Sequence, residues 1–564
     1  QSRLGFLLRL YITLMLIFAT QKVVFMVVNA GMAGGAPLGS CLAAVWHGLR
    51  LDSVMTCYLL VIPAAAVLVS YFLPRLAVRR VLTPYYVIVA LVTGIIFVID
   101  TILYLFWGSK LDANDLMYAT KPKDMMASLP WWAILLALAV ITLVVWHYVR
   151  RLRHATPASF KMKASPWMSL VMIPVTGIIF VGLRGGVSES TANPSFAYFS
   201  KYPFCNHAAL NPTFNMMHSL FKAQDLENEW NVMDEADVDA LLDGSFEPDN
   251  SITDTLLRMQ RPNVVLIIWE SGGHGMVMND SVGRNIMALA TEGVYFSNCR
   301  ADNFRTDRGI VSVLSGWQGL PTASLMKRTD LCRHLPSLAA TLDSAGYHTT
   351  YTYGGDINFT NKRLYLTETG FAEVRGDDWF PAAYSTCAWG VPDEYLLRPC
   401  DLPSQRPFLS VLQTLSSHEP WDVPVRRMAD KRQNAFAYTD SCIGVIVDSL
   451  RHTPLWDSLL VVIVPDHGAT FGDILMNQSD LAATLLAQMD IDASELVFSR
   501  NVLSASYGQR PRFAMHAFRN GLNLFTPDGV STYDCVERTL TPADKDKQRF
   551  VEALLQRIYT TSAH

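Results

Sequence analysis

Five side chains in the later part of this 564-residue chain have the types and settings for metal-assisted ester chemistry: Glu270, Thr306, His418, Asp466 and His467. Glu270 follows the apolar run Asn263-Val-Val-Leu-Ile-Ile-Trp269 and precedes Ser-Gly-Gly-His274, while Asp466 and His467 follow a similar run, Leu459-Leu-Val-Val-Ile-Val464. Two carboxylates with one imidazole suit a borderline divalent ion such as manganese or zinc, since a purely hard site would be all oxygen and a softer one would recruit thiolates. An Asp-His pair after a strand is weak by itself. A third motif strengthens it: Asn303-Phe-Arg-Thr-Asp-Arg-Gly309 leads into the apolar start Ile310-Val-Ser-Val-Leu314, so Thr306 falls at or near a helix N-terminus. Backbone N–H groups and the helix dipole favour a phosphate there. A threonine hydroxyl is a poor nucleophile until coordination to a metal favours its alkoxide. Arg305 and Arg308 can supply charge for phosphoryl oxygens. The competing job for Thr306 is to cap the helix, and local sequence weighs the two equally. A fourth motif, Thr414-Leu-Ser-Ser-His418-Glu-Pro-Trp421, presents an imidazole that can protonate a leaving alkoxide or hold a phosphate oxygen. His207, His334 and His348 lack such a setting and read as surface or packing residues.

The runs before Glu270 and Asp466 read as buried parallel strands, because they are short, continuously apolar and followed by glycine or proline. In open α/β sheets the ligand crevice lies beyond the carboxyl ends of the strands. Glu270, Asp466 and His467 can therefore converge despite their separation in sequence.

Upstream, the chain changes character. Hydrophobic residues make up 50% of the whole, and they crowd into five segments near 7–28, 53–73, 85–107, 131–149 and 167–183, each long enough for a hydrocarbon core of about 30 Å. Three parts follow: a transmembrane domain at 1–183, a juxtamembrane helical linker at 184–260 and a catalytic domain at 261–564. The first apolar segment is too long for a cleaved signal and reads as a permanent span. Arg75, Arg79 and Arg80 after the second span, and Arg150, Arg151, Arg153, Lys161 and Lys163 after the fourth, outnumber Lys110, Lys121 and Lys123 in the intervening loop. Basic loops are cytoplasmic, which puts the catalytic domain outside. Trp107, Trp131, Trp132, Trp146 and Trp167 near the span ends read as interfacial anchors. Arg9 can snorkel, whereas Asp100 lies deeper and needs a polar partner or a place on a substrate path. The acidic stretch Asp234, Glu235, Asp237 and Asp239 reads as a solvated helix.

Net charge is only −4 and no long basic stretch carries interleaved aromatics, so nucleic acid is not an expected partner. The 9 cysteines include no CxxC pair, which argues against a zinc ribbon or thioredoxin-like site; Cys387 with Cys400 is a candidate disulfide.

In the order of Glu270 after a strand, Thr306 in its Arg-Thr-Asp-Arg-Gly setting, the Ser-Ser-His418-Glu-Pro segment and Pro465-Asp-His-Gly468, the sequence resembles lipoteichoic acid synthase and related membrane phosphoglycerol transferases. These belong to the sulfatase-like branch of the alkaline phosphatase superfamily, and the likeness, five spans included, covers nearly the whole chain. It implies a five-helix transmembrane bundle followed by an α/β domain with a mostly parallel sheet. It also implies one divalent ion, manganese with zinc or magnesium as alternatives, held by Glu270, Thr306, Asp466 and His467. Thr306 would form a covalent intermediate during ping-pong transfer, with Arg305 and His418 touching substrate. The headgroup-gripping segment corresponds to Gly354-Gly-Asp356-Ile-Asn-Phe-Thr-Asn-Lys362, which makes Asp356, Asn361 and Lys362 candidate contacts. There the sequence departs from the family, with Thr360 in place of tryptophan and Lys362 or Arg363 in place of arginine. Only a short segment separates Gly468 from Gln478-Ser-Asp-Leu-Ala-Ala-Thr-Leu-Leu486, a stretch the family usually places after a further strand. The implied donor is a membrane phospholipid and the acceptor a glycan or lipid, at a bacterial plasma (inner) membrane with the catalytic domain extracytoplasmic. Other readings are a phosphodiesterase or phosphatase with water as acceptor, and an inactive membrane scaffold. A sulfatase-type hydrolase is less expected, because threonine stands where sulfatases carry the cysteine or serine that becomes formylglycine.

Overall fold

A computed structural model describes residues 2–73, 76–113, 131–160, 166–222, 226–253, 255–467 and 474–563. The chain divides into two units, Gln1–Ala223 and Gln224–His564.

In the first unit five segments are long and apolar enough to cross a membrane, by length and composition. They are the helices Arg3–Val28, Leu38–Val69, Val78–Trp107 and Trp131–Ala155, and a fifth in which the 3₁₀ turn Pro166–Val171 leads into Met172–Arg184. The second helix starts at Leu38, well before the expected residue 53, because its polar first half finds partners. Asp52 pairs with Lys22 and accepts from Asn211 Nδ2 at 2.9 Å, while Arg50 donates to the Gly185 carbonyl at 3.1 Å and lies over the Phe196 ring. Asp100 has the partner that burial demands: it pairs with Lys110 and accepts from the Leu111 N–H at 3.0 Å. Trp146 and Trp167 are largely exposed, as lipid-facing anchors would be. The side chains of Trp107, Trp131 and Trp132 lie outside the described residues, as do Arg75, Lys121, Lys123, Lys161 and Lys163.

Residues 184–260 are shared between the two units. Those up to 223 fall in the first unit and the remainder in the second. The acidic stretch there folds as the helix Glu235–Leu242, with Glu235 and Asp237 exposed and paired to Arg557 and Arg549 of the C-terminal helix.

The second unit is built on a parallel five-stranded sheet. Its spatial order runs Glu373–Arg375, His348–Tyr353, Phe408–Gln413, Asn263–Trp269, Leu459–Pro465. Asn263–Trp269 is an interior strand, buried along its whole length, which explains its unbroken apolar run. It pairs with Phe408–Gln413 on one side, Ile268 standing opposite Gln413, and with Leu459–Pro465 on the other, Trp269 standing opposite Pro465. Leu459–Pro465 was expected to be equally buried, but it is the sheet edge and only its Val464 and the following Asp466 are fully enclosed. The apolar face of Val265, Ile267 and Trp269 packs with Phe436, Ile443 and Val447 of the helix Lys431–Arg451. Beyond residues 468–473, which lie outside the described part, the short strand Met476–Asn477 pairs with Cys299–Arg300. An antiparallel sheet of Ala514–Phe518, Gly521–Thr526, Gly529–Asp534 and Thr539–Thr541 completes the unit.

The helix Thr306–Ser315 reaches the sheet through a glycine. A Cβ on Gly309 would sit 1.9 Å from the Asp466 carbonyl oxygen, so any side chain there forces the helix away from the strand end. Gly309→Ala is expected to destabilise the detergent-solubilised protein by about 1–3 kcal/mol through overpacking. Gly508, with nothing within 4 Å of its notional Cβ, is the control, and Gly508→Ala should leave the melting temperature unchanged. Thermal denaturation of the two variants checks the contrast.

Candidate active site

Three adjacent parallel strands deliver the site from their carboxyl ends: Glu270 after Asn263–Trp269, Asp466 and His467 after the edge strand, and Thr414 through His418 after Phe408–Gln413. One ligand atom each from Glu270, Asp466 and His467 lies within 4.8 Å of the others. His467 Nε2 is 3.5 Å from Glu270 Oε1 and 3.7 Å from Asp466 Oδ2. Asp466 is fully buried and Glu270 nearly so.

Thr306 joins this cluster. It is the first residue of its helix, with Arg305 in the cap position and no side-chain cap hydrogen bond. Its hydroxyl instead donates to Glu270 Oε2 at 3.3 Å. Of the two jobs left open by the sequence, capping is therefore not the one its side chain performs. Asp307 behind it is fixed by Lys327 at 2.8 Å and Ser324 at 2.7 Å, which anchors the first turn.

The electrostatics follow from burial. Desolvation opposes charge on Glu270, but hydrogen bonding and charge from His467, with His418 nearby, outweigh it and hold the carboxyl at about 2. Asp466 is pushed up to about 7 by burial and by the Glu270 charge, against help from His467 and from hydrogen bonds. Burial disfavours the His467 imidazolium, yet Asp466 and Glu270 raise it to about 9. Asp466 Oδ1 accepts the N–H groups of Ser271 at 2.6 Å and His467 at 2.9 Å, whereas buried Oδ2 has no hydrogen-bond partner among the described residues. Two buried carboxylates, one of them with an unsatisfied oxygen beside an imidazole, are a donor set that fits a divalent cation.

Ser271 was not singled out in the sequence and is central to the geometry. Its hydroxyl donates to Glu270 Oε1 at 3.0 Å and stands 3.1 Å from His467 Nε2, and its backbone is left-handed at φ 57. That conformation is uncommon for a non-glycine residue and is typical of over-determined functional sites. The glycines after it were the available hint. Thr414 and Ser417 were likewise unassigned: Thr414 Oγ1 accepts the Glu270 N–H at 3.0 Å, and Ser417 donates to the Glu270 carbonyl at 2.6 Å.

His418 Nδ1 is 2.7 Å from the Glu419 carbonyl, and its ring meets Trp389 edge-on at 4.5 Å. A carbonyl only accepts, so Nδ1 carries a proton and Nε2 is the nitrogen left for a ligand. Arg308 Nη1 is committed to the carbonyls of Leu320 at 2.7 Å and Pro321 at 3.0 Å, so its charge braces the loop after the helix. Asp356 accepts from the N–H of Asn358 at 3.0 Å, and Asn361 is buried with a left-handed backbone. Lys362, expected to touch substrate, is 2% exposed: its amine donates to Gln413 Oε1 at 2.8 Å and lies 3.5 Å from the Tyr353 ring centre. Burial lowers its pKa to about 8, although the negative charges of Glu270 and Asp466 pull the other way. The candidate pair Cys387 and Cys400 are both free thiols.

Residues 262–492 match the sulfatase family. Phosphoglycerol transferase I from Xanthomonas axonopodis pv. citri (strain 306) is 26% identical over 249 residues, covering 38% of this chain and 34% of that protein. The chain thus aligns with about a third of that relative's length. A crystal structure of an alkaline phosphatase superfamily protein from Vibrio parahaemolyticus superposes with TM-score 0.50 at 22% identity, over 60% of this chain and 98% of that one. Lipoteichoic acid synthase LtaP from Listeria monocytogenes gives TM-score 0.46 at 16% identity, over 58% and 97% of the two chains. The second unit therefore has an alkaline phosphatase-like fold with a mostly parallel central sheet, its residues 262–492 are similar to the sulfatase family, and five apolar helices precede it in the sequence.

Binding of Mn2+ to this site should release protons, because a ligating imidazole is neutral and a ligating carboxylate ionised, whereas His467 and Asp466 are held up at about 9 and about 7. Affinity is accordingly expected to rise with pH across that interval, and calorimetry in buffers of different ionisation enthalpy reads the release directly. Asp466→Asn should weaken binding by at least the roughly 10–100-fold typical of outer-shell partners. Affinity independent of both pH and this substitution would place the ion elsewhere.

Proposed function

We propose that the second unit transfers a phospholipid headgroup, phosphoglycerol or a close relative, through a covalent intermediate on Thr306 to a glycan or lipid acceptor. The observation that carries this reading is the Thr306 hydroxyl: at a helix start it leaves the cap position to Arg305 and turns to Glu270, within a cluster suited to a cation. The similarity to phosphoglycerol transferase I supports the same substrate class.

A divalent ion bound by Glu270, Thr306, Asp466 and His467, manganese by the resemblance, would supply the positive charge that favours the threonine alkoxide and stabilises the phosphoryl oxygens. The chain's own groups do the rest. Thr306 Oγ1 forms a bond to phosphorus as the bond to the lipid oxygen breaks, and the proton that threonine loses is balanced by the one the departing oxygen takes up. The first-turn N–H groups and Arg305 favour the negative phosphoryl group. His418 can protonate the leaving oxygen only in its doubly protonated form, because Nδ1–H is held by the Glu419 carbonyl and Nε2 must carry the transferred proton. Lys362 acts from a buried position, offsetting the negative charge of the cluster rather than gripping the headgroup.

The apolar helices suit a lipid donor, since binding the acyl part in or near a bilayer orients the phosphate for attack. The basic residues Arg79, Arg80, Arg150, Arg151 and Arg153 support a plasma-membrane topology with the catalytic unit extracytoplasmic.

The test uses the purified full chain with Mn2+ and vesicles containing phosphatidylglycerol. Thr306 should carry a phosphoglycerol adduct by tandem mass spectrometry, and Thr306→Ala should abolish diacylglycerol release. A normal turnover rate in Thr306→Ala, or an adduct on another residue, contradicts the reading.

A further inference from the structure

A cavity of about 410 Å3 abuts the catalytic cluster through His467. Its other walls include Arg300 and Phe304 from the segment leading to Thr306, and His516, Asn523 and Phe525 from the antiparallel sheet. Arg300, His516, Asn523 and Phe525 belong to none of the sequence motifs and to no proposed step. His516 Nδ1 lies 2.8 Å from the Ala301 carbonyl, so Nδ1 holds a proton and Nε2 of the neutral ring is an acceptor. Asn523 Oδ1 accepts from Thr532 at 2.9 Å, which leaves its amide N–H groups as donors. The Arg300 guanidinium lies 4.4 Å from the centre of the Phe525 ring, and Phe304 is 38% exposed. One acceptor nitrogen, amide donors and aromatic faces match a hydroxyl-rich ligand with apolar edges, and no carboxylate or lysine lines the cavity among the described residues.

We propose that this cavity is the acceptor subsite and takes a sugar or polyol whose reacting hydroxyl donates to His516 Nε2. The inference rests on the transferase reading above. In the step it serves, the acceptor oxygen bonds to phosphorus, the Thr306 Oγ1–phosphorus bond breaks, and the acceptor proton ends on Thr306.

The experiment supplies methyl glucoside to the full chain in phosphatidylglycerol vesicles with Mn2+ and measures headgroup transferred to the glucoside against headgroup released to water. His516→Ala should lower that ratio about tenfold, the scale of one hydrogen bond, and raise KM for the glucoside. His516→Gln, which keeps an acceptor oxygen, should recover part of the loss. Phe304→Leu alters an exposed wall where folding is tolerant and should also lower the ratio. Unchanged ratios in folded His516→Ala and in Phe304→Leu overturn the subsite, as does a parent chain that yields only free headgroup at saturating glucoside. Failure of the donor reading is separately visible, as an absence of the Thr306 adduct in the parent chain.

In the first unit the thiols of Cys41 and Cys205 stand 3.8 Å apart, one near the start of the helix Leu38–Val69 and the other in the short helix Pro203–Ala209. A disulfide requires roughly 2.05 Å, a closure within reach of side-chain rotation. We infer that the two form a disulfide by exchange with an oxidised carrier disulfide, which takes up both electrons and both protons as two thiols. Cysteines oxidise in this way on the extracytoplasmic side and stay reduced in the cytosol. Membranes dissolved in denaturant with excess N-ethylmaleimide, then digested without reductant, should yield a Cys41–Cys205 linked peptide, and Cys41→Ser should leave Cys205 alkylated. Alkylation of both thiols in the parent chain overturns the inference.

Discussion

Two carboxylates, Glu270 and Asp466, are enclosed at the ends of neighbouring strands, and like charges in so poorly solvated a place repel strongly. The surrounding structure offsets that repulsion. Ser271 and His467 give backbone N–H groups to Asp466, His467 adds a cationic ring, Ser271 and Thr306 donate hydroxyls to Glu270, and Lys362 contributes a buried positive charge. A fold selected only for packing would fill this point with apolar side chains. Holding two acids there instead gives the cluster a donor set suited to a divalent cation.

Precision in the cluster comes from backbone. The strand Asn263–Trp269 is paired on both sides, so the positions of Glu270 and Asp466 are fixed relative to each other by the register that sets Trp269 opposite Pro465. The absent side chain at Gly309 lets the Thr306 helix rest directly on the Asp466 carbonyl. Thr306 and the acidic cluster thereby share one rigid frame, in which small displacements change their mutual geometry most.

Much of this was legible in the sequence because it is local. The strands before Glu270 and Asp466 announced themselves by unbroken apolar runs, and Thr306 by the polar-to-apolar change that starts a helix. What escaped depends on who meets whom. Ser271 looked like a loop residue until its left-handed backbone set its hydroxyl between Glu270 and His467. Lys362 read as a ligand for the headgroup, but Gln413 on the neighbouring strand draws its amine inward. Arg308 read as a phosphate contact, and the two loop carbonyls that hold its Nη1 were not visible from local sequence. The edge position of Leu459–Pro465 was hidden as well, since an apolar run says how a strand packs and not how many neighbours it has. In the first unit, the early start of the second helix depended on distant partners for Asp52 and Arg50 that no window of local hydropathy contains.

The most direct test of the central claim is anomalous diffraction at the manganese edge from crystals of the Mn2+-loaded protein. The account predicts a single strong peak within coordination distance, roughly 2.0–2.3 Å, of carboxylate oxygens of Glu270 and Asp466, the His467 ring nitrogen and Thr306 Oγ1. A peak away from Thr306, or none at the carboxyl ends of these strands, would contradict it.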